Sequence, residues 1–188
     1  MSEQRIQQQF FESADLQYQS AETLARPVAE AATALHGALT GGGKVMVCGS
    51  RAGALLASHR AQLFVTRFER ERPPLAALAL GPNAAQQVRA LGLPGDVLVV
   101  IDDGEGESTP AITAAQDKDM TLVVLAGRGA GALQELLAET DVLIKVPAER
   151  SARVTELQLL VLHCLCDAVE YHLMGEQDPC TTSLRRAC

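Results

Sequence analysis

Four short apolar runs constrain this chain more than any other feature. They are Lys44–Cys48 (KVMVC), Asp96–Ile101 (DVLVVI), Thr121–Ala126 (TLVVLA) and Asp141–Val146 (DVLIKV). None alternates apolar with polar residues. Strands read this way when both faces of a parallel sheet are covered by helices. A fifth, weaker run is Leu75–Leu80 (LAALAL). Between the runs, helices are predicted over Ala52–Arg70, Thr109–Lys118 and Ala130–Ala138. Parallel neighbours need crossovers of about a dozen residues, and these spacings supply them. The pattern predicts a doubly wound α/β domain with a five-stranded parallel sheet.

Helices flank this core. Glu3–Gln19 and Ala21–Leu39 precede it, with Pro27 bending or restarting the second, and Gly41-Gly42-Gly43 leads into the first strand. The last helix is predicted over Ala152–Leu173 and is apolar nearly all round, which implies burial on every side. One small sheet cannot cover such a helix, so a second copy of the chain is its expected partner. The tail after Gly175, with Cys180 and Cys188, carries no pattern and reads as mobile. The 188 residues fit one domain, residues 1–188, with Ala, Leu and Val filling an interior short of aromatics.

Charge and composition narrow the function. The net charge of −7 disfavours direct nucleic-acid binding. Arg67–Arg72 alternates in sign and reads as a solvated helix end. The polar N-terminus shows no signal peptide, and no run reaches membrane-span length. Five cysteines, with Cys164 and Cys166 inside an apolar helix, point to free thiols and a cytoplasmic setting. No cofactor is expected.

In such folds ligands bind where strands end and helices begin. The first such turn is Cys48-Gly49-Ser50-Arg51-Ala52-Gly53. The second, Asp102-Asp103-Gly104-Glu105-Gly106-Glu107-Ser108, is crowded with carboxylates. Each close like-charge contact with a phosphate costs roughly 1 kcal/mol in water and more when desolvated. The acidic turn loosely matches a calcium loop, but its full pattern is absent, so a solvated acidic loop is the expectation and no metal is assigned.

The order of elements resembles the sugar-isomerase (SIS) domains: phosphoheptose isomerases and their non-catalytic relatives, the DnaA initiator-associating proteins. Arg67–Pro73, Gln87–Gly92 with Gly95–Leu98, Arg150–Glu156 and Cys164–Asp167 carry the likeness. It implies a flavodoxin-like sheet and a homotetramer. It also implies a sugar-phosphate pocket around Gly49, Ser50, Arg51, Gly53, Ser108 and Glu156. In the family the first turn reads roughly C-G-N-G-G-S. Here Ser50 stands for the Asn, Arg51 for a Gly and Gly53 for the Ser. Arg51 either attracts an anion or is a solvent-facing loop residue. The second turn is rich in Ser and Thr in the family, and only Ser108 matches. A longer segment before Gln87 is reduced to Gly81-Pro82-Asn83-Ala84-Ala85, which should leave an open shelf.

The resemblance also places the acid–base groups. His59 and His163 match the family's two histidines, whereas the carboxylate expected four residues after His59 is Leu63, and Thr155 replaces a Gln. Without that carboxylate, the two histidines read as vestigial: His59 as a packed helix residue and His163 as an interface residue. Leu173 matches the Leu of an apolar pair that binds the N-terminal domain of DnaA, and Met174 stands where a Phe is usual. The alternative is that both simply close the helix. The expectation is therefore a non-catalytic, oligomeric interaction protein of the DnaA-associating type. The alternatives are a phosphoheptose isomerase acting on sedoheptulose 7-phosphate, or a sugar-phosphate-binding subunit that regulates a catalytic paralogue.

Overall fold

The computed structural model describes residues 2–102, 108–127 and 130–175. Its elements run α1 (Ser2–Thr40), β1 (Val45–Gly49), α2 (Ala52–Val65), β2 (Ala77–Ala79), α3 (Ala84–Leu91), β3 (Val97–Asp102), α4 (Thr109–Gln116), β4 (Thr121–Ala126), α5 (Gly131–Gln134), β5 (Val142–Lys145) and α6 (Ser151–Met174). The five strands are all parallel in the order β2-β1-β3-β4-β5. The order reverses direction between β1 and β3, and the crevice at that point is where open α/β sheets bind ligands.

Alternate strand residues explain the continuous runs. Val45, Val47, Val97, Val99, Ile101, Val123 and Leu125 face the layer of α1, α2 and α6. Met46, Cys48, Leu98, Val100, Leu122 and Val124 face α3, α4 and α5. Both sets are buried, so no polar residue is needed at period two. At the opposite edge, Asp96 accepts from the Lys44 and Leu93 amides and pairs with Lys44 Nζ, closing the β1 and β3 starts.

Four expectations need correction. The N-terminal segment is one helix, with Pro27 inside it. Leu24, Val28, Ala31, Ala32 and Leu35 bury one face, and this packing outweighs a proline's cost of about 3 kcal/mol. The helix from Ala52 ends at Val65 rather than Arg70, because Glu170 gathers the amides of Phe68, Glu69 and Arg70 into a loop. The Arg67–Arg72 stretch is therefore not a solvated helix end, since the Arg72 and Glu170 side chains are each 1% exposed. Helix α5 is a single turn, Gly131–Gln134.

Helix α6 is long and apolar enough to cross a bilayer by length and composition alone. Here it is a core helix, with Val154, Leu157, Val161, Leu162, Leu165 and Val169 buried along one stripe. Its burial is one-sided within the chain: Cys164 and Tyr171 are exposed and Leu160 is 38% exposed.

Candidate functional site

The C-terminal ends of β1 and β2, with the start of α4, line a cavity of about 540 Å³. Ser50, Arg51, Ser58, Gly81, Pro82 and Ser108 are among the residues that line it. The shortened Gly81–Ala84 segment thus builds a wall, where the sequence suggested an open shelf. Residues 103–107 of the acidic turn lie outside the described residues, so Asp103, Glu105 and Glu107 are not placed. The same holds for Cys180 and Cys188 of the tail.

The first turn is shaped by close backbone approach. A Cβ on Gly49 would sit 2.5 Å from the Gly53 carbonyl carbon, and one on Gly53 would sit 2.5 Å from the Ile101 oxygen. Gly53 is buried and lies outside the cavity lining, so its part is to let α2 start directly against β3. Between these glycines Arg51 holds φ at 52°, a conformation that favours glycine. Arg51 is exposed and lines the cavity. Ser50 Oγ is buried and has no hydrogen-bond partner among the described residues. Ser108 opens α4, and its carbonyl accepts from the Ala111 and Ile112 amides. Burial, reinforced by Asp102, pushes the Cys48 thiol up to about 12, so this cavity residue is no nucleophile at neutral pH.

One residue along α2 from Ser58 of the cavity lining, His59 meets His163 of α6. Their Nε2 atoms are 3.1 Å apart and their ring centroids 5.4 Å. A bond between two imidazole nitrogens needs one N–H and one lone pair, so the pair shares a single proton in that contact. Burial is the first cause that pushes His163 below its ordinary value. His59 and Arg60 add to it, and Glu69 opposes it. Phe68 lies tilted over the His163 ring, centroid to centroid 5.4 Å. Leu63, one turn beyond His59, packs against the apolar core.

Glu156 is brought to neither place. It accepts from Ser13 of α1 at 2.7 Å and pairs with Arg153. Burial would raise its carboxyl, but the Ser13 and Arg153 hydrogen bonds hold it below the usual range. Its part is to bind α1 to the start of α6. Leu173 packs against the core and Met174 is half-buried. No group of three metal-ligating side chains occurs among the described residues.

Two residues central to this seam escaped the sequence reading. Arg60 is fully buried, and its neighbours Leu56, Ala57, Ala61 and Phe64 form an apolar stripe at helical spacing. An arginine inside such a stripe is the signal that marks it. Gln158 is also buried and donates to the Asp102 and Leu125 carbonyls, tying α6 to the ends of β3 and β4. It sits in the same register as Leu162 and Leu165, so the periodicity alone hid it.

Known proteins share this arrangement. The SIS domain family model matches residues 9–127. A phosphoheptose isomerase of Methylibium petroleiphilum is 50% identical, the alignment covering 95% of this chain and 98% of that protein. One from Azoarcus sp. is 40% identical, covering 93% and 98%. The Methylibium alignment spans 196 positions, more than the 188 residues here, so that relative carries residues this chain lacks. Among solved structures, phosphoheptose isomerase GmhA from Neisseria gonorrhoeae superposes with a TM-score of 0.82 at 32% identity, over 90% of this chain and 99% of that one. A phosphoheptose isomerase from Francisella tularensis gives 0.84 at 34%, over 90% and 98%. These likenesses overturn the expectation of a non-catalytic, DnaA-associating protein: the relatives at 50% and 40% identity are named isomerases. Sequence reading went astray by weighing Leu63 and the acidic turn above the overall likeness. The chain is a member of the SIS domain family.

Proposed function

We propose that this protein is a sugar-phosphate isomerase of the phosphoheptose type, acting on sedoheptulose 7-phosphate in the cytoplasm. The observation that carries the reading is the His59–His163 pair, held at 3.1 Å, with His59 next in sequence to Ser58 of the cavity at the strand ends. Ketose and aldose phosphates interconvert by moving one proton between adjacent carbons and one between the two oxygens. One imidazole removes the proton α to the carbonyl, and the pair returns a proton to the neighbouring carbon. His163 suits the base, since burial, His59 and Arg60 favour its neutral form. Two imidazoles then do the work that the family divides between a carboxylate and an imidazole. Ser50, Arg51 and Ser108 are the donors for the phosphate at the cavity.

Leu63 favours a second reading: a subunit that binds a sugar phosphate without turning it over. One pair of measurements separates the two. A coupled assay with sedoheptulose 7-phosphate should show turnover by the wild type, lowered about 10²–10⁴-fold in His163→Ala. Calorimetric binding without turnover would transfer the conclusion to the second reading. Absence of both at millimolar ligand would sink the two together.

The assembly is proposed as a homo-oligomer. A groove of about 260 Å³ between α1 and α6 is lined almost wholly by apolar groups, including Leu24, Val28, Leu157 and Leu160. A second copy would cover it. Light scattering at micromolar concentration should report more than one chain per particle, and a clean monomer would reject the assembly.

A further inference from the structure

Arg60 is 0% exposed and heads the fully buried side chains by volume among the described residues. A guanidinium stays ionised at any pH a folded protein tolerates. Buried charges are ordinarily paired with a carboxylate. Among the described residues Arg60 has none. Its Nη1 donates to the Leu162 carbonyl at 2.7 Å and contacts Cys166 Sγ at 2.8 Å. Its Cζ lies 3.9 Å from the centroid of the Phe64 ring, a cation–π contact. Nε and Nη2 are buried without a hydrogen-bond partner among the described residues. Taken as a packing unit, this side chain is a poor choice, and a methionine would fill the space without orphaned donors.

Its place in the chain supplies the reason. Arg60 directly follows His59 on α2, and Leu162 directly precedes His163 on α6. The 2.7 Å bond therefore joins the neighbours of the two histidines across 102 residues of sequence. We infer that Arg60 is a positioning residue: it is the strut that sets the α2–α6 spacing at the His59–His163 pair and keeps the two imidazoles in contact. The same cation lies close enough to disfavour a second proton on the pair. The charged groups that face His163 are His59 and Arg60 from α2 and Glu69 from the loop after it, and only Glu69 favours protonation. Phe68 covers one side of the ring, and its own amide is fixed by Glu170. Arg60 thus acts through geometry and field together, without touching substrate.

The inference rests on the His pair being the proton-moving end of the site, but its test is read without turnover. Imidazole titrations of the full chain are followed by NMR in wild type, Arg60→Met and Arg60→Gln, beside thermal unfolding. In the Met variant the His163 midpoint should rise by about one pH unit, tenfold in proton affinity. Tm should hold or rise, because a buried charge has been replaced by an apolar chain. The Gln variant keeps a donor for Leu162 but no charge, and decides the matter if the Met variant misfolds. It too should raise the His163 midpoint. Where turnover is present, kcat should fall at least tenfold with KM little changed. Unaltered His163 titration in a folded variant, with Tm lowered, would make Arg60 a structural residue and overturn the inference.

Discussion

The α2–α6 seam and the strand-end turns lie side by side, yet they are finished to different degrees. At the seam, His59, His163, Arg60, Phe68 and Glu170 are linked by a chain of direct contacts. At the turns, Ser50 Oγ is buried without a partner among the described residues, and Arg51 sits in a strained conformation. The difference follows from what each must do. Two imidazoles need only be pressed together, and two packed helices with one strut between them do that. A phosphate needs several donors converging on one point, and each donor must come from a separate turn. The seam is set by direct contacts between two helices, Arg60 to Leu162 among them; the turns depend on donors brought from separate loops.

The largest effect should come from cutting the seam at its anchor. Glu170 accepts from the Phe68, Glu69 and Arg70 amides and from Arg72 Nε, and Arg72 in turn holds the Leu63 and Phe64 carbonyls. Removing one partner of a buried pair leaves the other charge unpaired. Glu170→Ala should therefore cost about 3–5 kcal/mol by denaturant unfolding. Near-wild-type stability would show that the loop after α2 is held by something other than this carboxylate.

The turns should respond differently, because there the missing group cannot simply be put back. Gly53→Ser restores the family's residue in name. Its Cβ would meet the Ile101 oxygen at 2.5 Å, well inside any ordinary contact. We expect a loss of about 1–3 kcal/mol, typical of overpacking, and no gain in affinity for sedoheptulose 7-phosphate. A stable variant that binds the sugar phosphate more tightly would mean that the turn can move to admit a side chain.

This contrast also explains what could be read in the sequence. The strands were legible because two-sided burial leaves runs of Val, Leu and Ile, and their bounds shift by only a residue or two. The end of α2 was not legible. Nothing local stops a helix before Pro73, and the group that stops it, Glu170, lies about a hundred residues away. Pro27 misled in the opposite direction, since local cost was weighed without the packing of Leu24, Val28 and Leu35. The histidines were found only through family resemblance, since no periodicity joins positions 59 and 163. The shape of the first turn stayed hidden, because a glycine in place of a serine reads as a loss until the Ile101 carbonyl is seen behind it.

Arg51 sharpens the comparison on a smaller scale. A non-glycine residue at φ 52° carries a strain of order 1 kcal/mol or more. Arg51→Gly should recover about 1 kcal/mol of stability and weaken sugar-phosphate binding several-fold, since a guanidinium of the cavity lining is lost. Stability and affinity then move in opposite directions, which calorimetry and unfolding on the same sample will register. A variant that loses both would show that the side chain holds the turn together and is not there for the anion.

The smallest effect is the one that reads the histidine itself. His163 lies below its ordinary value of 6.5, so the folded protein refuses a proton that the unfolded chain accepts. Its contribution to stability is complete above about pH 6.5 and is lost as pH falls below it. Glu170 behaves alike in a lower window. Burial would raise it, yet the loop amides and Arg72 hold it below 4.5, and its contribution disappears as pH falls through the carboxylate range. Denaturant midpoints should therefore drift down slightly between pH 7 and 5.5, then steeply below about 4.5. His163→Gln should remove the first drift and leave the second. Half-burial and solvent screening keep the first drift small. Raising the salt should weaken the part due to the exposed His59 but leave the parts due to burial and to the buried Arg60 largely in place. A wild-type curve that is flat from pH 7 to 5.5 would mean that the seam tolerates a charged His163, and would leave the pair without its preference for a neutral base.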